Sequence, residues 1–178
     1  MAAIDLEQNK LKDAVGCQDQ IASAYGGFNV VRFGRDGSFS VTPLGLSDER
    51  RRHFESWLML FYTGNSRLSS DYAKRLIRNL DANTKHLQRM HAMVDEGAEL
   101  LHEGRIEEFG KLLHHGWLLK RTLADGTTNG AIDRAYDDAL RAGAIGGKLL
   151  GAGGTGFMVF VVPPERQPAV ARALSDLI

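Results

Sequence analysis

Gly143-Ala144-Ile145-Gly146-Gly147-Lys148-Leu149-Leu150-Gly151-Ala152-Gly153-Gly154-Thr155-Gly156-Phe157 holds seven glycines in fifteen residues and runs straight into Met158-Val159-Phe160-Val161-Val162 and Pro163-Pro164. Glycine loses more backbone freedom on folding than any other residue, so such a cluster points to positive φ or to a close approach to the backbone. A loop of exposed amides is the expectation, and three uses compete for it. Gly151-x-Gly153-x-x-Gly156 spells the dinucleotide-binding fingerprint, which needs a helix after it. The continuation from Phe157 to Val162 is instead apolar, β-branched and aromatic, and reads as a strand. A P-loop needs a hydroxyl after its lysine, whereas Leu149 follows Gly147-Lys148, and Ala142 stands in the place of the first glycine. What remains is strand, glycine loop, strand: a hairpin whose amides line one end, or a plain glycine turn.

Working outward, helical spacing predicts helices over about Ser69 to Leu80, Asn83 to His102, Ile106 to Leu123 and Asn129 to Ala142, separated by Asp81, Gly104 and Asp125-Gly126. Ile106, Phe109, Leu112, Leu113, Trp117 and Leu119 mark the apolar side of the third. Ser56 to Tyr62 is too continuously apolar for a half-solvated edge and reads as a central strand. Ser47 is a natural N-cap for the short basic helix before it, in which Arg50-Arg51-Arg52-His53 reads as a solvated end. Nearer the start, Ile4 to Ala14 reads as a helix broken by Gly16, with Asp5 and Glu7 early and Lys10 and Lys12 late. Ile21 to Tyr25 reads as a second helix, closed by Gly26-Gly27. Phe28 to Phe33 and Phe39 to Thr42 flank Arg35-Asp36-Gly37-Ser38, the Asp-Gly signature of a hairpin. After Pro163-Pro164 a last helix from Glu165 to Ile178 has Val170, Ala173, Leu174 and Leu177 on one side. Helices grouped between antiparallel strands make the fold α+β, an antiparallel sheet packed with helices. A boundary falls near Leu44 to Ser47, giving units of about 1–45 and 46–178.

Composition narrows the classes. The chain is 43% hydrophobic and 25% charged, and Lys plus Arg equals Asp plus Glu at 22 each, so no overall field favours nucleic acid or an acidic membrane. A single cysteine, Cys17, excludes an intrachain disulfide. With no signal peptide or long apolar run, the cytoplasm is the expected compartment.

Three constellations could carry chemistry. Glu7 and Asp19 are twelve residues apart on adjoining short helices, and phosphoryl transfer needs a carboxylate for magnesium and another to orient the attacking hydroxyl. Two solvated helix-start acids would look the same. Thr63-Gly64-Asn65-Ser66-Arg67, with Ser69 and Ser70 beyond, offers hydroxyls, amides and a guanidinium at the mouth of a helix, which suits phosphate or simple capping. Lys120-Arg121 is a companion cationic pair or a solvated helix end. His86, His91, His102, His114 and His115 lack the i, i+4 spacing around a glutamate that a zinc protease needs, and read as surface or capping histidines.

Gly146 to Phe157 resembles the third motif of the GHMP kinases, the family of galactokinase, homoserine kinase, mevalonate kinase and phosphomevalonate kinase. It is most similar to the branch acting on D-glycero-D-manno-heptose 7-phosphate, with Thr155 where that branch usually has glycine. Ile4 to Gln8 and Val15 to Gln20 resemble the segment after the family's nucleotide loop. That match implies Glu7 as magnesium ligand and Asp19 as the base. It implies a phosphate- and nucleotide-binding loop of Gly151, Ala152, Gly153, Gly154, Thr155 and Gly156, with Ser66, Arg67 and Lys148 on the substrate. It implies ATP and Mg2+ as co-substrate and cofactor, a sugar phosphate as partner, and a ferredoxin-like C-terminal domain.

The family's upstream Pro-x-x-x-Gly-Leu-Gly-Ser-Ser-Ala loop has no counterpart here. Residues 1–45 therefore read as a remnant of the N-terminal kinase domain, and the chain as a truncated kinase with negligible turnover of its own. Self-association through the face exposed by truncation is a further expectation. The alternative is a non-catalytic sugar-phosphate-binding or regulatory module derived from such a kinase.

Overall fold

The structure, a computed structural model, describes residues 2–12, 16–64, 77–151 and 153–177. Two compact units form, Met1–Leu46 and Ser47–Ile178.

In the first unit, a helical turn over Ala2–Ile4 widens into a π-type stretch over Asp5–Lys10. This differs from the expected helix running through Ala14: Leu11 and Lys12 lie past the helical stretch, and residues 13–15 lie outside the described residues. Helix α1 (Gln18–Tyr25) starts from Cys17 and stops at Gly26, whose φ of 60° is open to glycine. Strands β1 (Asn29–Phe33) and β2 (Phe39–Pro43) pair antiparallel, Asn29 opposite Pro43 and Phe33 opposite Phe39. Asp36 makes the turn by accepting from the Ser38 N–H at 3.0 Å and from its hydroxyl at 2.6 Å.

The second unit opens with α2 (Asp48–Glu55), where the Ser47 hydroxyl oxygen accepts from the Arg50 N–H. Strand β3 (Leu58–Tyr62) follows, then α3 (Thr84–Glu103), α4 (Ile106–Thr122) and α5 (Gly130–Ala142). Gly104 and Gly143 close α3 and α5 in the left-handed conformation. Strands β4 (Gly146–Leu149) and β5 (Phe157–Val161) form a hairpin, and α6 (Gln167–Ala173) follows a 3-10 turn at Pro164–Arg166.

Among the described residues the sheet runs β3-β5-β4, antiparallel throughout, with Leu58 and Gly146 both opposite Val161. The expected central strand is thus corrected. Strand β5 takes the centre, with Met158, Phe160 and Val161 fully buried, while β3 flanks it and leaves Leu60 57% exposed. A run of apolar residues reports covered faces, and one covered face plus a single exposed leucine looks the same in sequence.

The core joins Phe160 and Met158 of β5 to Trp117 of α4, Tyr136 of α5, and Val170 and Leu174 of the C-terminal segment. Tyr136 packs against Phe160 with ring centroids 5.6 Å apart and against Trp117 at 6.0 Å. On α6 the inward residues are Val170, Leu174 and, partly, Leu177. Ala173 is exposed, against expectation, because a short helix following a 3-10 turn presents a narrower face than a continuous one. The α+β arrangement of helices on an antiparallel sheet is as the sequence indicates.

Candidate functional site

The loop between β4 and β5 is built from the strand ends inward. The Leu150 N–H donates to Phe157 O at 2.8 Å, which closes the ladder, and the chain then turns through glycines. At Gly153 (φ 120°) an added Cβ would sit 3.1 Å from Thr127 O, and at Gly154 (φ 82°) 3.0 Å from Gly126 O. Both positive φ and close backbone approach therefore demand glycine at these two sites. Thr155 has no such demand, since Lys12 alone among the described non-glycine residues has positive φ. A β-branched residue is accommodated there without strain.

The loop is anchored from three directions. Thr127, 1% exposed, turns its hydroxyl onto Ala124 O at 2.6 Å, and its carbonyl accepts the Gly154 N–H at 2.9 Å. Asn129 does two jobs: its Oδ1 accepts from the N–H groups of Ala131 and Ile132, capping α5, while its Nδ2 donates to Gly154 O at 3.0 Å. From β3, Thr63 exchanges bonds with Gly156, its N–H donating to the carbonyl at 2.9 Å and its Oγ1 accepting the Gly156 N–H at 3.0 Å. The expected row of exposed amides is thus corrected in part. The amides of Gly154 and Gly156 are used within the fold, while those of Gly153 and Thr155 have no acceptor among the described residues.

Two lysines attend this loop. Lys120, near the end of α4, donates from Nζ to Gly151 O at 2.6 Å. Lys148 lies in β4, opposite Val159. Burial, with the charge of Lys148 adding to it, pushes the Lys120 ammonium down to about 8, and burial lowers Lys148 too. Its neighbour Arg121 pairs with Asp133 at 2.9 Å, and the same Asp133 oxygen accepts the Thr128 hydroxyl at 2.7 Å. The reading of Lys120-Arg121 as a solvated helix end is therefore set aside. The signal was present: Gly110, His114, Trp117 and Lys120 recur at spacings of four, three and three, the face of α4 that meets β4.

On that face, a Cβ at Gly146 would lie 2.0 Å from Gly110 O, so helix and strand touch backbone to backbone. Above the contact, His114 Nδ1 is 2.8 Å from the Tyr136 hydroxyl, which donates to Gly147 O at 3.2 Å. With that hydroxyl proton committed, the neutral imidazole carries its own proton on Nδ1. Burial foremost, then His115 and Arg121, holds His114 below the usual histidine range, and burial raises the Tyr136 phenol to about 12. His86, His91, His102 and His115 are exposed.

The two carboxylates belong to the first unit. Asp19 is exposed in the first turn of α1. Half-buried Glu7 accepts a bond from Gln20 Nε2, and the buried Gln20 Oε1 has no donor among the described residues. No cluster of three His, Cys, Asp or Glu residues occurs among the described residues. Ser66 and Arg67, with Ser69 and Ser70, lie outside the described residues, as does Ala152. No helix among the described residues is long and apolar enough to cross a membrane.

Residues 98–177 match the family model described as GHMP kinases C terminal. The chain is 30% identical over 175 residues to a D-glycero-alpha-D-manno-heptose 7-phosphate kinase of Campylobacter jejuni, the match covering 97% of this chain and 51% of that protein. It thus spans about half the length of this curated relative. A solved D-glycero-D-manno-heptose 1-phosphate kinase from Bacteroides thetaiotaomicron is 29% identical, with a TM-score of 0.63 over 99% of this chain and 47% of that one. Mevalonate kinase of L. major, solved with R-mevalonate, shares the fold at 19% identity, with a TM-score of 0.71 over 89% of this chain and 47% of its own.

Proposed function

With a GHMP kinase C-terminal domain over residues 98–177 as the premise, we propose that the chain is part of an ATP- and magnesium-dependent sugar-phosphate kinase resembling D-glycero-D-manno-heptose 7-phosphate kinase. The reaction is phosphoryl transfer to the anomeric hydroxyl. The observation that carries this reading is the anchored glycine loop with Lys120 donating to its first carbonyl and Lys148 in the adjoining strand. Ammonium groups and amides without internal acceptors suit phosphate oxygens.

Asp19, on an exposed first helical turn, orients or deprotonates the sugar hydroxyl. Glu7 is held in place by Gln20 and binds magnesium. These residues fit that ion, because magnesium usually takes one or two carboxylates and keeps its remaining ligands from water and phosphate. The orphaned Gln20 Oε1 is a further oxygen on the same side chain. Bound magnesium neutralises charge on the transferring phosphoryl group. Gly151 to Gly156 line the phosphates, and Ser66, Arg67 and Lys148 hold the substrate.

A second reading is a non-catalytic module that binds sugar phosphate, for which the anchored loop and its two lysines suffice without Glu7 or Asp19. Thermal unfolding of the chain with heptose 7-phosphate, and separately with Mg-ATP, tests both. A ligand at a hundred times its Kd stabilises by about 2.7 kcal/mol, so binding is readily seen. The sugar phosphate is expected to raise the unfolding temperature with negligible turnover. Turnover abolished by Asp19→Ala would remove the module reading, and no shift with the sugar phosphate would refute both.

A further inference from the structure

We propose that Lys120 is a second phosphate-binding cation, paired with Lys148 across the α4–β4 contact, and that the two ammonium groups seat one dianionic phosphate beside the glycine loop. This rests on the sugar-phosphate reading and adds to it a contact residue on α4 that selects ligands bearing a phosphate monoester.

The argument begins with donors. An ammonium group has three N–H donors, and Gly151 O takes one from Lys120 at 2.6 Å. Lys148 has no acceptor among the described residues. Asp133, which faces the neighbouring Arg121, is committed to that guanidinium at 2.9 Å and to the Thr128 hydroxyl at 2.7 Å. Nothing anionic among the described residues offsets the two lysines, which repel each other while both lose water.

A fold holding two partly desolvated cations together, with donors to spare, is short of one anion. The surroundings say what kind. Loop amides at Gly153 and Thr155 have no acceptor among the described residues, and amide-plus-ammonium sites take the tetrahedral oxygens of phosphate. Two fixed positive charges match the two negative charges of a phosphate monoester near neutral pH.

The same chemistry could arrive on a sugar, on a nucleotide or as free phosphate, so the test has separate arms. Affinities of the whole chain are measured by calorimetry for inorganic phosphate, heptose 7-phosphate, the dephosphorylated heptose and Mg-ATP. Lys120→Gln still offers an N–H to Gly151 but no charge, and Lys120→Met removes both; urea midpoints check that each variant folds.

Both substitutions are expected to weaken heptose 7-phosphate by about ten- to hundredfold, as loss of a charge-assisted bond does, and to leave the dephosphorylated heptose unchanged. Weakening of inorganic phosphate alone, with no heptose phosphate bound by the parent chain, upholds the cation pair and sinks the sugar-kinase reading. Selective weakening of Mg-ATP assigns the seat to the nucleotide and overturns the inference. Unchanged heptose 7-phosphate affinity in Lys120→Gln, or equal weakening of both heptoses, overturns it while the kinase reading survives.

Discussion

Asn129 ties the start of α5 to the glycine loop, and replacing it separates two energies that one side chain carries. Its Oδ1 accepts from Ala131 N at 3.0 Å and Ile132 N at 3.1 Å, and its Nδ2 reaches Gly154 O at 3.0 Å. Asn129→Ala removes the cap, worth about 1 kcal/mol. It also leaves the carbonyl of buried Gly154 without this donor, worth about another 1 kcal/mol. Asn129→Ser keeps a capping oxygen and loses only the tether, so it should lose about half of that sum. Asn129→Asp also keeps the cap and adds a negative charge where the helix dipole favours one, but it turns an oxygen toward Gly154 O. Urea unfolding reads the series. With a slope near 2 kcal/mol/M, the midpoint falls by about 1 M for alanine and about 0.5 M for serine. Equal midpoints for Ala and Ser would show that the cap does not operate, and an alanine variant as stable as the parent would refute the anchoring scheme altogether.

Gly146→Ala, whose Cβ would meet Gly110 O at 2.0 Å, is expected to cost about 3 kcal/mol or more, whereas Gly116→Ala meets only the Met93 methyl at 3.3 Å and should be neutral or slightly stabilising; thermal melts of both check the backbone contact. His114 is held below its usual range, so the unfolded chain binds more protons as pH falls through about 6.5. Stability should fall on that side, and His114→Gln should flatten the slope measured by urea midpoints between about pH 7 and pH 5. Lys120 titrates at about 8 in the fold and near 10.5 unfolded, so stability should rise as pH climbs from 8 toward 10, after which Tyr136, held up at about 12, opposes it. Lys120→Met should remove most of that rise, and an unchanged profile would mean that its ammonium is not desolvated.

Elements with strong local punctuation were readable from sequence alone. Asp36-Gly37 gives the first hairpin, Ser47 and Asn129 the starts of α2 and α5, Gly104 and Gly143 the ends of α3 and α5, and the glycine run between apolar strands gives the second hairpin. Each is a choice made within a few residues of chain. What the sequence hid depends on neighbours far along it. Among the described residues, the place of β3 beside β5 rather than at the sheet centre is decided by pairing across about a hundred residues. The amides of Gly154 and Gly156 look free in sequence because their acceptors, Thr127 and Thr63, come from other elements. Lys120-Arg121 left a companion cationic pair and a solvated helix end both open, because a charged pair at a helix end is normally solvated. The periodic alignment of Lys120 with Gly110, His114 and Trp117 says otherwise, but only once one knows that Gly110 faces a strand.

That glycine contact explains why the lysine reaches the loop. From Gly110 to Lys120 is ten residues of helix, about 15 Å at 1.5 Å each. From Gly146 to Leu149 the chain is extended, about 10 Å over three residues, and it continues through Leu150 to the turn at Gly151. With Gly110 against Gly146 at one end and Lys120 on Gly151 O at the other, α4 and β4 run side by side in the same direction. The pair Gly146-Gly147 therefore does more than begin a strand. A side chain at Gly146 would hold the helix off, and the displacement would carry along the whole rigid helix to the Lys120 ammonium. Glycines at the start of β4 and a cation at the end of α4 are one device, in which close packing at one end sets the charge at the other.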